Sequence, residues 1–426
     1  MNECFTCGDY EYVLLPDDTA EIIRYNGRDT EVIIPDQLDG YSVTALKDFA
    51  FQRAASLTSI VLPASLTALG NGIFTGCTAL ESITLPDSLS ELSIGLCMGC
   101  RSLQQVRLPA GLTTINTYAF QGCASLTSIT LPQSLSCIGQ EAFSDCSSLQ
   151  TVALPDSLTH TGNDVFSGCT ALHTVIWPAG LEAINDSAFQ DCISLEKIIL
   201  PEGLSYIGRS AFMGCTALHD VTLPDSLTFL GPKSFCGCTR LKSITLPGHL
   251  TRIDFGTFLG CTALESISLP DSLSEIRSSA FSGCTALESI TLPSALTVLQ
   301  NSTFENCTAL KHISLPGNLT SIEYNAFRSC TTLRSITLPE GLASITYRTF
   351  MDCTSLQHVT LPDALTTIEA EAFLGCTALE SVTLPRSLSR IVGNVFADSP
   401  GLMPAVHPGS YAESWCQKQD IAYTCI

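Results

Sequence analysis

Positive charge is scarce in this chain. Lys and Arg number 20 against 41 Asp and Glu, the net charge is −21, and charged residues of both signs make up only 14% of the 426 residues. A nucleic-acid surface must neutralise phosphates with clustered Lys and Arg, and an anionic membrane surface asks for the same. Both partner classes are therefore excluded as expectations. No run approaches the roughly 18 apolar residues that span a bilayer. The N-terminal MNECFTCGDYEY lacks the basic and apolar segments of a secretory leader, and the C-terminus carries no sorting or lipid-anchor motif. Both features point to a chain kept inside the cell, or to a mature form. None of this signals disorder: an apolar content of 45% and a mean hydropathy of +0.29 call for a large buried core.

What the chain has in excess is repetition. GCTALESITLP stands at 76–86 and again at 283–293, with near copies at 260–270 and 375–385. Prolines from Pro63 to Pro385 recur every 23 residues, and Pro408 continues the series. Fourteen cysteines, Cys77 to Cys376, keep the same beat. A phenylalanine precedes each by three residues, except where Cys97 stands. Fifteen units run from Leu57 to Gly401 without insertion or deletion, reading L-x-x-I-x-L-P-x-x-L-x-x-I-g-x-x-A-F-x-x-C-x-x.

The residues before each proline alternate outward and inward as a strand does, and proline then stops the ladder. Phe74, Cys77 and Leu80 at i, i+3 and i+6 suit a short helical turn with one face inward. No unit can bury this stripe alone, so the units must stack. With its 23-residue period, its proline and its A-F-x-x-C, the line resembles the BspA-like, treponemal-type leucine-rich repeat. The resemblance implies an α/β repeat fold: a right-handed solenoid with a parallel sheet on the concave side and short strand or helical turns on the convex side. It also implies a bacterial surface, adhesion or protein-binding role, and a location at the cell surface, against the inward-pointing features above.

The expected organisation is an N-terminal β-hairpin cap with a first irregular repeat over 1–56, the fifteen units over 57–401, and a helix/strand cap over 402–426. Asn26-Gly27 is a strong hairpin signal. Tyr10, Tyr12, Val13, Ile22, Ile23, Tyr25, Val32, Ile33 and Ile34 are expected to cover the first coil. At the other end Ser399 replaces the cysteine, Ser410 and Glu413 have capping-box spacing, Trp415 is placed to lie over the last coil, and IAYTCI reads as a closing strand.

The chain holds 21 cysteines. The regular column reads as buried reduced thiols packing as small apolar groups, because neighbouring Cβ vectors in a stack point the same way and make a disulfide dihedral awkward. Cys4 and Cys7 form one C-x-x-C without the second pair that a zinc site needs. Acidic residues after the proline, such as Asp87, Asp156 and Asp271, are ordinary turn residues that keep the surface soluble, with calcium collection as the sharper alternative. The seven histidines have no ligand spacing, and no nucleophile–base constellation stands out. No enzyme activity, metal or cofactor is expected.

Outward strand positions lie four and two residues before each proline and mostly hold Ser or Thr. The exceptions are the candidate partner-binding residues: Gln105 and Arg107 with Arg101 nearby, Ile176 beside Trp177, then Lys197 and Ile199, then Asp220. Mixed Arg, Lys and exposed Ile on a bland sheet are what a partner site requires, and drift among repeats produces them too. The reading is a monomeric, non-catalytic scaffold binding protein, or secondarily glycan. The alternative is a structural protein of a surface layer or filament, for which the ends would have to be open instead of capped.

Overall fold

The computed structural model describes residues 3–426. The chain divides into two compact units. The first comprises residues 1–204 with 214–216, and the second residues 205–213 with 217–426. Each is a stack of 23-residue coils, and each coil contributes to three faces. The residues before the proline form three-residue parallel strands, such as Ser59–Val61, Ser82–Thr84 and Gln105–Arg107, paired at identical positions of consecutive coils. The residues after the proline form a second ladder of two-residue strands, such as Glu91–Leu92, Thr114–Ile115 and Cys137–Ile138. Proline separates the two because it cannot donate to either ladder. The serine of P-x-S-L ties the corner: Ser134 Oγ donates to the Leu112 carbonyl at 2.7 Å and Ser157 Oγ to that of Leu135 at 2.7 Å.

The third face carries A-F-x-x-C. The short turns expected there form as separate i→i+3 turns and do not run on into a helix: Cys77 N–H bonds the Phe74 carbonyl (3.0 Å) and Leu80 N–H the Cys77 carbonyl (3.1 Å). Two residues per coil take positive φ. Before each column cysteine this is Gly, as at Gly76 (φ 74), or else Asp, Asn or Ser, as at Asp145, Asn306 and Ser329. Glycine reaches that region without a Cβ clash, and Asn and Asp tolerate it, so a residue unsuited to a helix precedes every cysteine. The turns are also bonded from coil to coil, for example Phe74 N–H to the Leu96 carbonyl at 2.9 Å and Phe281 N–H to that of Thr303 at 3.0 Å.

The core is an aromatic column beside a thiol column. In the second unit the rings of Phe212, Phe235, Phe258, Phe281, Phe304, Phe327, Phe350, Phe373 and Phe396 stack at 5.3–5.9 Å. In the first unit Cys97 separates the pair Phe51–Phe74 from the run that begins at Phe120. Both ends continue the column with other aromatics. Tyr25 stacks on Phe51 at 5.0 Å and Tyr10 lies 5.4 Å from Tyr25. Trp415 meets Phe396 edge-on at 6.0 Å.

The N-terminal cap is a mixed sheet. Strands β1 (Cys4–Cys7), β2 (Tyr10–Leu14) and β3 (Ala20–Tyr25) pair antiparallel in sequence order. β4 (Glu31–Ile33) joins the pre-proline ladder against Ser59–Val61. β5 (Gln37–Leu38) turns back on β6 (Tyr41–Leu46), which runs parallel to β3. The hairpin expected at Asn26-Gly27 is therefore absent, since β3 and β4 enter different ladders. Gly27 instead packs so tightly on the Tyr25 ring that an added Cβ would collide with its hydroxyl oxygen. Tyr12, Val13, Ile22, Val32 and Ile34 are buried, but Ile33 is 74% exposed. It occupies the outward position two residues before Pro35, so it faces water instead of the first coil.

At the C-terminus α1 (Tyr411–Lys418) begins at the N-cap Ser410, whose hydroxyl accepts the Glu413 N–H at 3.2 Å. The Glu413 carboxylate answers by accepting the Gly409 N–H at 2.7 Å. Ala412 and Cys416 are buried under the helix, and Thr424–Cys425 closes parallel to Ala405–Val406.

Candidate functional site: the strand face and its seams

The column thiols are committed inside the core. Each donates to the carbonyl of the residue 26 positions earlier, one coil back. Cys77 Sγ lies 3.1 Å from the Phe51 oxygen, Cys146 3.2 Å from Phe120 and Cys307 3.2 Å from Phe281. Where Cys97 replaces the phenylalanine, Cys123 bonds its carbonyl at 3.2 Å. Ser399 takes the same role toward Phe373 at 3.4 Å. Burial pushes the thiols of Cys77, Cys146, Cys307 and Cys376 up to about 12 and raises those of Cys123 and Cys261 as well. These groups are inert toward nucleophilic chemistry at neutral pH. The sequence reading had their burial but not the bond, because the partner is displaced by one unit plus three residues.

Cys4 and Cys7 are three apart in one strand, so their side chains leave opposite faces of β1. No three His, Cys, Asp or Glu side chains converge as a metal ligand set among the described residues. Among them, too, no helix is long and apolar enough to cross a membrane.

The pre-proline ladder is the broad open face of the first unit. Gln105 and Arg107 point outward, paired in register with Ser82 and Thr84. Arg107 Nη2 reaches Asp87 Oδ2 at 3.2 Å, with both side chains about 60% exposed. Such a pair contributes little to stability. Arg101 is exposed in the turn that leads into the same strand. Ile176 is 60% exposed opposite Ala153, and Ile199, one coil on, is 57% exposed. Lys197 is exposed on the strand of Ile199. Asp220 belongs to the second unit, where it is half-buried at the start of Asp220–Thr222. The sequence reading missed the apolar pair Ile33 and Val61, register partners that are 74% and 54% exposed. The signal was available, since both stand two residues before a proline.

The pre-proline ladder is not continuous. Ser243–Thr245 pairs with Ser266–Ser268, and Ser289–Thr291 with His312–Ser314, yet neither pair is bonded to the next. A cleft opens at each seam. One of 570 Å³ lies between His312–Ser314 and Ser335–Thr337, and one of 440 Å³ between Ser266–Ser268 and Ser289–Thr291. A third, of 400 Å³ in the first unit, is lined by Gln104, Gln105, Ser125, Thr127, Ser128 and Ser148. The clefts are shallow, and in the two of the second unit Ser and Thr hydroxyls alternate with Ile, Leu and Pro, with His312 and Glu340 bordering the first. They contain no nucleophile hydrogen-bonded to a base.

The profile described as the BspA type Leucine rich repeat region (6 copies) matches in overlapping stretches, 2–124, 44–173, 90–219, 182–311 and 300–411. The chain belongs to the BspA-type leucine-rich-repeat family. Among solved structures it is similar to a leucine-rich repeat protein from Bacteroides ovatus, with a TM-score of 0.77, 29% identity, and 90% of this chain and 95% of that one covered. A leucine rich cell surface protein from Faecalibacterium prausnitzii also matches, with a TM-score of 0.51, 25% identity, and 92% and 95% covered. No curated protein matches. The BspA-type assignment agrees with the resemblance drawn from the 23-residue line, and it accounts for the proline and cysteine beats as the two fixed corners of each coil.

Proposed function

We propose that this BspA-type protein is a non-catalytic scaffold that binds another macromolecule, protein before glycan, through the pre-proline face of its first unit. One observation carries the reading. The position two residues before the proline holds Ser or Thr in every coil of the second unit from Thr222 to Thr383, whereas Ile176 and Ile199 in the first unit stand 60% and 57% exposed in consecutive coils. Large apolar side chains held on a rigid strand face gain by being covered, and with Arg, Lys and Gln around them they have the composition of an interface centre and its rim. Arg101, Gln105, Arg107 and Lys197 supply that polar rim. Asp220 is the corresponding candidate of the second unit. A preordered ladder loses little conformational entropy on binding. The cell-surface description of the F. prausnitzii relative favours a role outside the cell.

The test is a comparison of wild type with an Ile176→Ser/Ile199→Ser/Arg107→Ser variant on arrays of purified surface and extracellular-matrix proteins and glycans. The reading expects at least one protein bound saturably by wild type and weakened tenfold or more in the variant. Identical binding profiles for the two proteins would remove the face from consideration. Open-ended growth of particle size with concentration in light scattering would favour the layer or filament reading instead.

A further inference from the structure

The second unit carries a feature of different chemistry on its post-proline ladder. The first residues of four successive two-residue strands are Tyr206, Phe229, Arg252 and Glu275. Further along the unit the same position holds Val298, Ser321, Ser344 and Thr367. The Tyr206 and Phe229 rings stack with centroids 5.0 Å apart and planes 5° from parallel. The Arg252 guanidinium lies 5.0 Å from the Phe229 centroid. Asp254, only 4% exposed, holds this arrangement from beneath. Its carboxylate lies 3.6 Å from Arg252 Nε and 3.5 Å from Arg277 Nη1, and accepts the Phe255 N–H at 2.8 Å. Arg277 is further fixed by Glu275 at 2.9 Å. Lys233 sits 5.6 Å from the ring of Phe255, which is 41% exposed.

A carboxylate buried at Asp254 costs desolvation unless it is paired, and here it pairs with two guanidinium groups and pins both. Arg252 and Arg277 therefore enter any complex with much of their rotamer freedom already gone. Three cations (Lys233, Arg252, Arg277) face two carboxylates (Asp254, Glu275), each already engaged. That leaves a local positive excess on a chain of net charge −21. Phe229 has Tyr206 against one face and Arg252 over its ring, so Phe229 offers no open platform for a sugar or a base. Solvent meets ring edges, the positive rim of the aromatic quadrupole, alternating with guanidinium donors.

We propose that this aromatic–arginine stack is a docking site for an acidic, apolar-alternating segment of a partner polypeptide. Carboxylates pair with Arg252 and Arg277, and apolar side chains cover the edges of Tyr206, Phe229 and Phe255. The inference deepens the macromolecule-binding reading and rests on it, but uses a different face. The probe is a dye-labelled peptide of alternating Glu and Leu, followed by anisotropy, against a Lys–Leu peptide and an oligouronate of equal charge. Saturable binding is expected for the Glu–Leu peptide alone. Arg252→Ser and Phe229→Ser should each weaken it at least tenfold, about 1.4 kcal/mol, and rising salt should weaken it too. Arg252→Lys, which keeps the charge and the fold but loses the planar fork, should fall between and decides the matter if Phe229→Ser misfolds. Equal binding by the Arg252 variants, equal binding of the Lys–Leu peptide, or preference for the oligouronate overturns the proposal. Loss on Ile176→Ser/Ile199→Ser with none on Arg252→Ser overturns it while leaving the scaffold reading intact.

Discussion

Replacing Cys284 tests why the repeat carries cysteine. Its side chain is fully buried and its thiol lies 3.3 Å from the Phe258 carbonyl oxygen. That oxygen already accepts the Cys261 N–H at 3.1 Å, so the thiol supplies its second bond. Cys284→Ala removes a sulfur worth about one buried methylene, about 0.8 kcal/mol. It leaves a cavity of roughly 30 Å³, about 0.7 kcal/mol at 24 cal/mol per Å³, and forfeits a weak S–H···O bond of roughly 0.5 kcal/mol. The sum is about 2 kcal/mol. Cys284→Ser loses the same apolar transfer but keeps a donor, as Ser399 does naturally toward Phe373. It should cost about 1 kcal/mol, less than alanine. At Cys416, buried in α1 outside the column, the ranking should reverse, because a helix favours alanine and a buried hydroxyl needs a partner. The assay is urea unfolding followed by circular dichroism, with amide exchange of Cys261 as the local readout. Serine proving worse than alanine at Cys284 would refute the donor argument and leave the cysteine as packing alone.

Three further outcomes follow from the same core. With a thiol reagent at neutral pH, only Cys4, Cys7, Cys137, Cys236 and Cys425, the exposed or half-exposed ones, should react in the folded chain, whereas urea should release all 21; fast reaction of column thiols would contradict their burial. Because burial raises column thiols such as Cys307 from 9.0 to about 12, the folded state holds protons that the unfolded state releases. Stability should be complete below about pH 9 and fall as pH climbs toward 12, and an alkaline-stable protein would argue against the column. Phe281→Ala, which breaks stacks of 5.7 and 5.6 Å on either side, should cost about 3–5 kcal/mol in a urea melt; a loss under about 1 kcal/mol would show that the column is not the core.

The period, the proline corners and the inward Phe and Cys were legible in the sequence because 23-residue spacing leaves one way to align the units. On the third face Phe74, Cys77 and Leu80 fit a continuing helix as well as they fit separate turns. The residue that decides between them is the Gly, Asp, Asn or Ser before each cysteine, a left-handed position no helix interior accepts. Asn26-Gly27 misled because its flanking segments found parallel partners farther along the chain, which local turn chemistry cannot register. The outward positions of Arg107, Ile176 and Ile199 followed from period-two geometry, and applying it at Pro35 would have exposed Ile33. The seams lay beyond reach. Ser82–Thr84 and Ser289–Thr291 have the same sequence, yet the first is bonded to the coils on both sides and the second only to the coil that follows it.

The near-identity of the coils has a cost during folding. A segment such as 76–86 has the same adhesive edge as 283–293, so a growing stack cannot tell a correct neighbour from a distant copy by local affinity. The terminal segments are the ones that follow no repeat line. The mixed sheet built by β1, β2, β3 and β6 has no copy elsewhere, so it offers assembly one unambiguous end from which units can be counted in order.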